Sequence, residues 1–282
     1  MSSAPLDPQH PRQPLPYLKL LLALVAFGAA WRLTEMQPSA LFAAEGRRNM
    51  LAFIGGMFPP DLSVDFLQRM LGPLLTTIQL SIAGMVLAIL IGLALALPAA
   101  RTLRFAGVLH EVALRRRRRW LLAVLPYAGA RGLLNLLRAV PELVWALIFV
   151  RAVGLGAFPG VLAIGVAYGG ILGKIYAEII EGVAPQPLET LQSTGAGKLA
   201  VFCYGIVPQA LPHAVSYTLY RWECAIRASA VLGFVGAGGI GQEIELSMRM
   251  FNFHEVMTLL MMVFGLVAIT DLISAAVRRR LR

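Results

Sequence analysis

Arg221, Glu223 and Arg227 stand inside an apolar stretch from Pro208 to Val235, and Arg131, Arg138, Glu142 and Arg151 inside another from Pro126 to Val153. Ionisable residues in such surroundings are costly and tend to mark routes for charged solutes. Arginine offers planar donors that pair with two oxygens of one oxyanion, so the chemistry these residues fit is transient anion binding rather than bond making. Arg221, placed mid-stretch, is the first candidate and Arg227 the second. Thr76, Thr77 and Gln79 offer neutral donors near one end of an earlier apolar stretch. Two plainer readings stay open. Glu223 and Arg227, four apart, could neutralise each other on a helix, and Arg131 and Arg151 could reach outward to an interface.

Reactive constellations do not emerge. His10, His110, His213 and His254 are scattered, with no pair spaced four apart for a metal, and no nucleophile stands beside a base. Neither a catalytic residue nor a metal ligand is assigned. Cys203 and Cys224 suggest packing rather than a disulfide framework. Gly197-Lys198 resembles the end of a phosphate loop, but Leu199 stands where Ser or Thr is required and Gln192 where the first glycine belongs. The run Gly233 to Gly241 lacks a preceding strand and is read as a turn where backbones pass closely, not as a phosphate cradle. Energy for any transport must then come from another chain or from a gradient, and no cofactor is expected on this one.

The elements that position these residues are membrane helices. The 282 residues are 58% hydrophobic and 14% charged, with a mean hydropathy of +0.71, outside the range of soluble domains. A helical span takes roughly 20 apolar residues. Six segments qualify as candidates: Tyr17 to Trp31, Leu71 to Leu97, Pro126 to Val153, Gly160 to Glu181, Pro208 to Val235 and Glu255 to Val277. The expected fold class is therefore all-α, a polytopic membrane protein with a core over 71–277. Pro141 should kink the third span. Gly165, Gly169 and Gly173 leave one face of the fourth without side chains, where another helix can approach closely.

Charge sets the orientation. Arg101, Arg104 and Arg115 to Arg119 lie between the second and third spans, and Arg278, Arg279, Arg280 and Arg282 follow the last. By the positive-inside rule both clusters and both termini are expected in the cytoplasm. Anionic lipid headgroups account for the net charge of +10 better than nucleic acid does. Residues 1–16, with five prolines, are expected to be a disordered lead-in. An uncleaved signal anchor and an irregular outer segment then fill 17–70, with removal of the leader as the alternative.

Between the fourth and fifth segments lies a polar stretch, residues 182–207. Pro187 suits the start of a short helix over Leu188 to Thr194, and Glu189 its positive end. Leu188 and Leu191 share a face that could enter a partner's groove. Gly195 and Gly197 permit a sharp turn or left-handed cap. An ordinary surface loop is the equal alternative on local physics alone.

From Leu133 onward the chain resembles the phosphonate-import permeases of the type I ABC importer superfamily. The resemblance rests on Arg138-Ala-Val-Pro-Glu142, Gly154-Leu-Gly156, Gly173-Lys174 with Glu178 and Glu181, Thr194-Gly-Ala-Gly197, Val207-Pro-Gln-Ala-Leu-Pro212 and Val231 to Gly241. The superfamily's loop glutamate, glycine and closing proline map onto Glu189, Gly195 and Pro208. Thr190-Leu191 stands where the pattern has two alanines, and Gly205 where it prefers isoleucine. The resemblance implies a permease subunit, not an enzyme, in the inner membrane of a bacterial cell. It also implies a cytoplasmic ATPase dimer that uses ATP and Mg, a substrate-binding protein outside, and a second permease subunit. One coupling helix per chain makes a homodimer the economical arrangement. Phosphonate is the expected cargo. Phosphite, hypophosphite, phosphate or an amino acid such as methionine are the alternatives within the architecture, and an ATPase-independent transporter is the alternative outside it.

Overall fold

The computed structural model describes residues 16–34, 43–103 and 117–280, with side chains omitted at 16 and 117–123. The chain forms two units. The first, Met1–Gly55, holds helix α1 (Pro16–Leu33) and nearly all of α2 (Ala44–Gly56). The second, Gly56–Arg282, holds α3 (Val64–Ala99), α4 (Arg117–Ala139), α5 (Glu142–Val153), α6 (Ala157–Glu181), α7 (Pro185–Ser193), α8 (Val207–Leu232), α9 (Ile240–Arg249) and α10 (Phe253–Arg280). Among the described residues there is no strand.

Among the described residues, four helical stretches are long and apolar enough to cross a bilayer: Val64–Ala99, Ala157–Glu181, Lys198–Val235 and Phe253–Arg280. A fifth is added if the broken pair Val124–Ala139 and Glu142–Val153 counts as one span. The expected first span is helical as α1 but is not among these. Its 18 residues carry Lys19 and Arg32 near their ends, just short of the roughly 20 apolar residues a span takes. The supposedly irregular stretch Arg32 to Arg69 contains α2, and α3 begins seven residues earlier than Leu71. Most of the lead-in and much of the central arginine cluster lie outside the described residues. Arg278 to Arg280 continue α10 rather than forming a separate tail.

Helix α6 is the centre of the second unit, and its glycines explain why. A β-carbon at Gly165 would sit 2.4 Å from Leu87, and one at Gly169 2.9 Å from Ile91. Gly173 meets Gly92 of α3 backbone to backbone, and Gly84 of α3 returns the contact against Ile164. The side-chain-free face therefore seats α3 directly, as its spacing predicts. Gly170, on another face, is as close to Leu137 of α4. Around these contacts Leu80, Leu134, Ile164, Leu172 and Leu232 make a closed apolar core.

Pro141 does more than kink. Helices α4 and α5 meet at 89°, with Pro141 as the residue before α5 (φ −57°, ψ 146°). Proline has no N–H for the carbonyl of Leu137 four residues back. Trp145 supplies the missing donor: its indole Nε1–H reaches the Leu137 carbonyl at 3.2 Å, while its ring stacks on Phe149. Trp145→Phe keeps the ring and loses this hydrogen bond. It should cost about 1 kcal/mol, read as a lower unfolding temperature of the detergent-solubilised protein.

After α8 the glycine run folds back on itself. Gly236, Gly238 and Gly239 take φ of +89°, +83° and +76°, which favours glycine. The turn delivers α9, an amphipathic helix not expected from the sequence, which buries Ile240 and Ile244 beside Phe66, Val256 and Leu259. At the start of α3, the Ser63 backbone N–H donates to Asp61 at 2.9 Å and holds that carboxyl below its usual range.

Candidate functional site

One face of α8 lines three successive recesses. The first, about 440 Å³, lies among His213, Ser216, Tyr217, Tyr220 and Arg278. The second, about 610 Å³, is bounded by Asn135, Arg138, Lys174, Tyr217 and Arg221. The third, about 310 Å³, lies among Glu142, Tyr168, Cys224, Arg227 and Ala228. Residues 213, 217, 221, 224 and 228 recur at helical spacing, so a single helix face runs the length of this groove.

Arg221 sits at its middle. Its Nε–H donates to the Tyr217 hydroxyl at 3.0 Å, and its guanidinium lies 5.5–5.9 Å from the ring centroids of Tyr168, Tyr217 and Tyr220. Three aromatic faces hold the cation by its flanks. Arg138 and Lys174 share the recess. Arg138 donates to the amide oxygen of Asn135 at 3.2 Å, and Lys174 stands 3.6 Å from Glu178. No carboxylate lines the recess itself. Of these residues the sequence puts Arg221 first, and Arg138 is only one of several arginines in an apolar stretch. Lys174 hides one turn from Glu178, where a solvated pair is the ordinary reading.

Arg227 lies in the neighbouring recess and is not neutralised by Glu223. It donates to that residue's backbone carbonyl at 3.4 Å and to the Cys224 Sγ at 3.9 Å, not to the carboxylate. The Glu223 carboxylate, 9% exposed, pairs instead with Arg278 of α10 at 2.5 Å, and Ser274 backs the arginine at 2.7 Å. Arg131 does not reach outward either. It donates to Glu181 at 2.7 Å and to the Ala99 carbonyl at 3.1 Å, and Glu181 also accepts the Arg101 backbone N–H at 2.6 Å. One carboxylate thus clasps α3, α4 and α6 at the end where residues 182–207 begin.

The neutral donors have other work. The Thr77 hydroxyl is fully buried, donates to the Pro73 carbonyl and accepts the Ile240 N–H at 2.9 Å; the Thr77 carbonyl accepts from Ser229. It pins the glycine turn and is closed to a solute. Thr76 donates to the Gly72 carbonyl at 3.0 Å, and Gln79 is exposed on α3.

The stretch 182–207 contains the expected short helix, α7, with Pro185 and Pro187 in its first turn. Leu188 is 7% exposed and packs with Val201 and Ile206, and Leu191 supports them. In this structure Leu188 is thus held by its own chain, and Leu191 is left partly exposed. Gly205 makes this possible, since a β-carbon there would lie 2.6 Å from Leu188 and 3.1 Å from Leu191. Glu189 remains exposed, with Leu199 at 77% and Tyr204 at 78% exposure nearby. Gly195 takes φ +82°, the left-handed cap, while Gly197 is extended at φ −69°, ψ 161° and needs no glycine. Pro208, lacking an N–H for residue 204, follows a π-helical turn at Val201–Ile206.

Residues 105–282 match the family described as the binding-protein-dependent transport system inner membrane component. A phosphite transport system permease protein of Stutzerimonas stutzeri is 36% identical over 254 residues, 90% of this chain and 85% of that protein. The chain belongs to this permease family.

The permease is also 33% identical to a phosphate-import permease protein of Mycolicibacterium smegmatis over 251 residues, 89% of this chain and 43% of the relative. The inward-facing MetNI methionine ABC transporter superposes with a TM-score of 0.64 at 18% identity, covering 78% of this permease and all of that chain. The fold is thus that of a type I ABC importer permease. As an inner-membrane component of a transport system it is a multi-pass translocation subunit and not an enzyme.

Proposed function

We propose that this permease carries a phosphorus oxyanion inward along the α8 groove, driven by ATP hydrolysis on a separate ATPase. The observation that carries the reading is the middle recess, where Arg138, Lys174 and Arg221 converge with no carboxylate in the lining. Tetrahedral oxyanions match arginine's paired donors, and the named cargoes of the aligned relatives, phosphite and phosphate, agree with that chemistry. A zwitterionic amino acid would need an anionic partner that this recess lacks. Arg227, one recess away, is the second contact; Thr76 and Gln79 remain marginal donors at the far end of α3.

With α1 and the broken α4–α5 pair taken as crossings beside the four long spans, six in all, the orientation proposed puts α7, both termini and both arginine clusters in the cytoplasm, following the positive-inside rule. The glycine turn then faces the external substrate-binding protein. ATP and Mg belong to the ATPase dimer, and a second copy of this chain supplies the second coupling helix.

Uptake in cells carrying Arg221→Ala tests the path. It should fall by at least about tenfold, in line with loss of a charge-assisted contact worth about 1.5–3 kcal/mol, while the protein remains in the membrane. Unchanged uptake of every oxyanion would remove Arg221 from the route. Docking has its own test. Glu189→Ala and Tyr204→Ala, both on the exposed surface around α7, should each lower co-purification of the ATPase and uptake together, and Gly195→Val, strained at φ +82°, should do so by unseating the cap of α7. Normal co-purification in all three would place the ATPase contact elsewhere.

A further inference from the structure

The three recesses along α8 differ in charge in a way the path reading does not require. In the first, Arg278 is matched by Glu223 at 2.5 Å. In the third, Arg227 shares the lining with Glu142. The middle recess keeps an excess: Arg138, Lys174 and Arg221 line it with no carboxylate in the lining, and Glu178 stands 3.6 Å from Lys174 from outside. Counting that glutamate, the middle station holds two positive charges more than negative, between two stations that balance. Arg138 and Arg221 each spend one donor on a neutral oxygen, of Asn135 and Tyr217, which fixes the guanidinium planes without cancelling charge.

We infer that the middle recess is a charge-selective station that favours doubly charged tetrahedral oxyanions over singly charged ones of similar size. This rests on the proposed path. A dianion neutralises the excess completely, whereas a monoanion leaves one positive charge unmatched in surroundings partly screened from water, where Coulomb energies exceed those in bulk. The balanced stations on either side give the anion no comparable hold, so a dianion enters, pauses once and leaves. Selectivity inside the permease then adds to whatever the external binding protein provides, and it reads charge rather than shape.

The test uses the purified permease–ATPase complex without its binding protein, at mildly alkaline pH. Phosphite, a dianion there, and hypophosphite, a monoanion at any such pH, serve as probes, and phosphorus-31 line broadening reports weak, rapidly exchanging binding. Phosphite should bind at least about fivefold more tightly than hypophosphite, as expected for one additional charge-assisted pairing. Arg138→Gln and Lys174→Gln should each erode that ratio, and the double variant should bring it to about one, with Arg249→Gln, exposed on α9 and outside all three recesses, leaving it intact. Equal broadening of the two probes in the unaltered complex, or an undiminished ratio in the double variant, overturns charge selection. The path itself fails separately, if Arg221→Ala imports normally. Lost import in Arg221→Ala together with equal binding of both probes keeps the path and discards this inference.

Discussion

A Gly241→Ala permease is expected to accumulate poorly and to unfold well below the parent in a detergent melt. A β-carbon at this position would lie 1.7 Å from the Ala230 carbonyl oxygen and 3.1 Å from Gly233. Both neighbours are backbone, so no rotamer change relieves the overlap, and α8 must part from the first turn of α9. Overpacking in a flexible core costs about 1–3 kcal/mol; against backbone, the cost belongs at or above the upper end of that range. Separating these turns would also pull Ile240 from the Thr77 hydroxyl, undoing the pin that joins the turn to α3. The contrast is Gly72→Ala, in a helix with nothing within 4 Å of the added carbon, which should be neutral or stabilising by about 0.5–1 kcal/mol. Equal yields and melting temperatures for the two variants would show that the close approach at Gly241 is absent.

Arg278→Ala should have the second large effect. It leaves Glu223 nearly enclosed with its carboxylate unmatched, and removing one member of an enclosed pair costs about 3–5 kcal/mol. Arg278 is itself partly exposed, at 29% of its side chain, so about 3 kcal/mol is the expected loss, read from thermal unfolding of the solubilised protein. Removing both charges should recover most of it: Glu223→Gln with Arg278→Met leaves no stranded ion. A double variant as unstable as the single one would mean that the pair contributes through packing rather than charge. The same double variant informs on transport, because it changes the balanced station beside His213 without touching Arg221.

Much of this was legible in the sequence because it depends on local periodicity. The apolar segments, the glycine face of α6, the short helix after Pro185 and the turn through Gly236 to Gly239 follow from spacing and backbone chemistry. The misread parts depend on contacts distant in sequence. Glu223 finds Arg278, 55 residues on, rather than Arg227 one turn away. Leu188 and Leu191 form a genuine apolar face, but periodicity cannot say whether a face meets its own chain or another, and Gly205 lets Leu188 meet its own. Thr77 looked like a free donor because the Ile240 N–H that occupies it is 163 residues away. Pro141 announced a bend, but neither its size, 89°, nor the Trp145 hydrogen bond that satisfies the Leu137 carbonyl.

The seam between α3 and α6 bears on how such a subunit can move. Gly92 and Gly173 touch through their backbones, and Leu87 and Ile91 sink into Gly165 and Gly169, so side chains of one helix meet backbone of the other and leave no room for the two to slide. The pair is expected to move as one strut. Any hinge then belongs to the helices held to it by polar clasps, and the π-helical turn ahead of α8, already a departure from regular helix, is the expected place for it. Force delivered to α7 would reach the groove by tilting α8 about that turn, with the strut as its fixed spine.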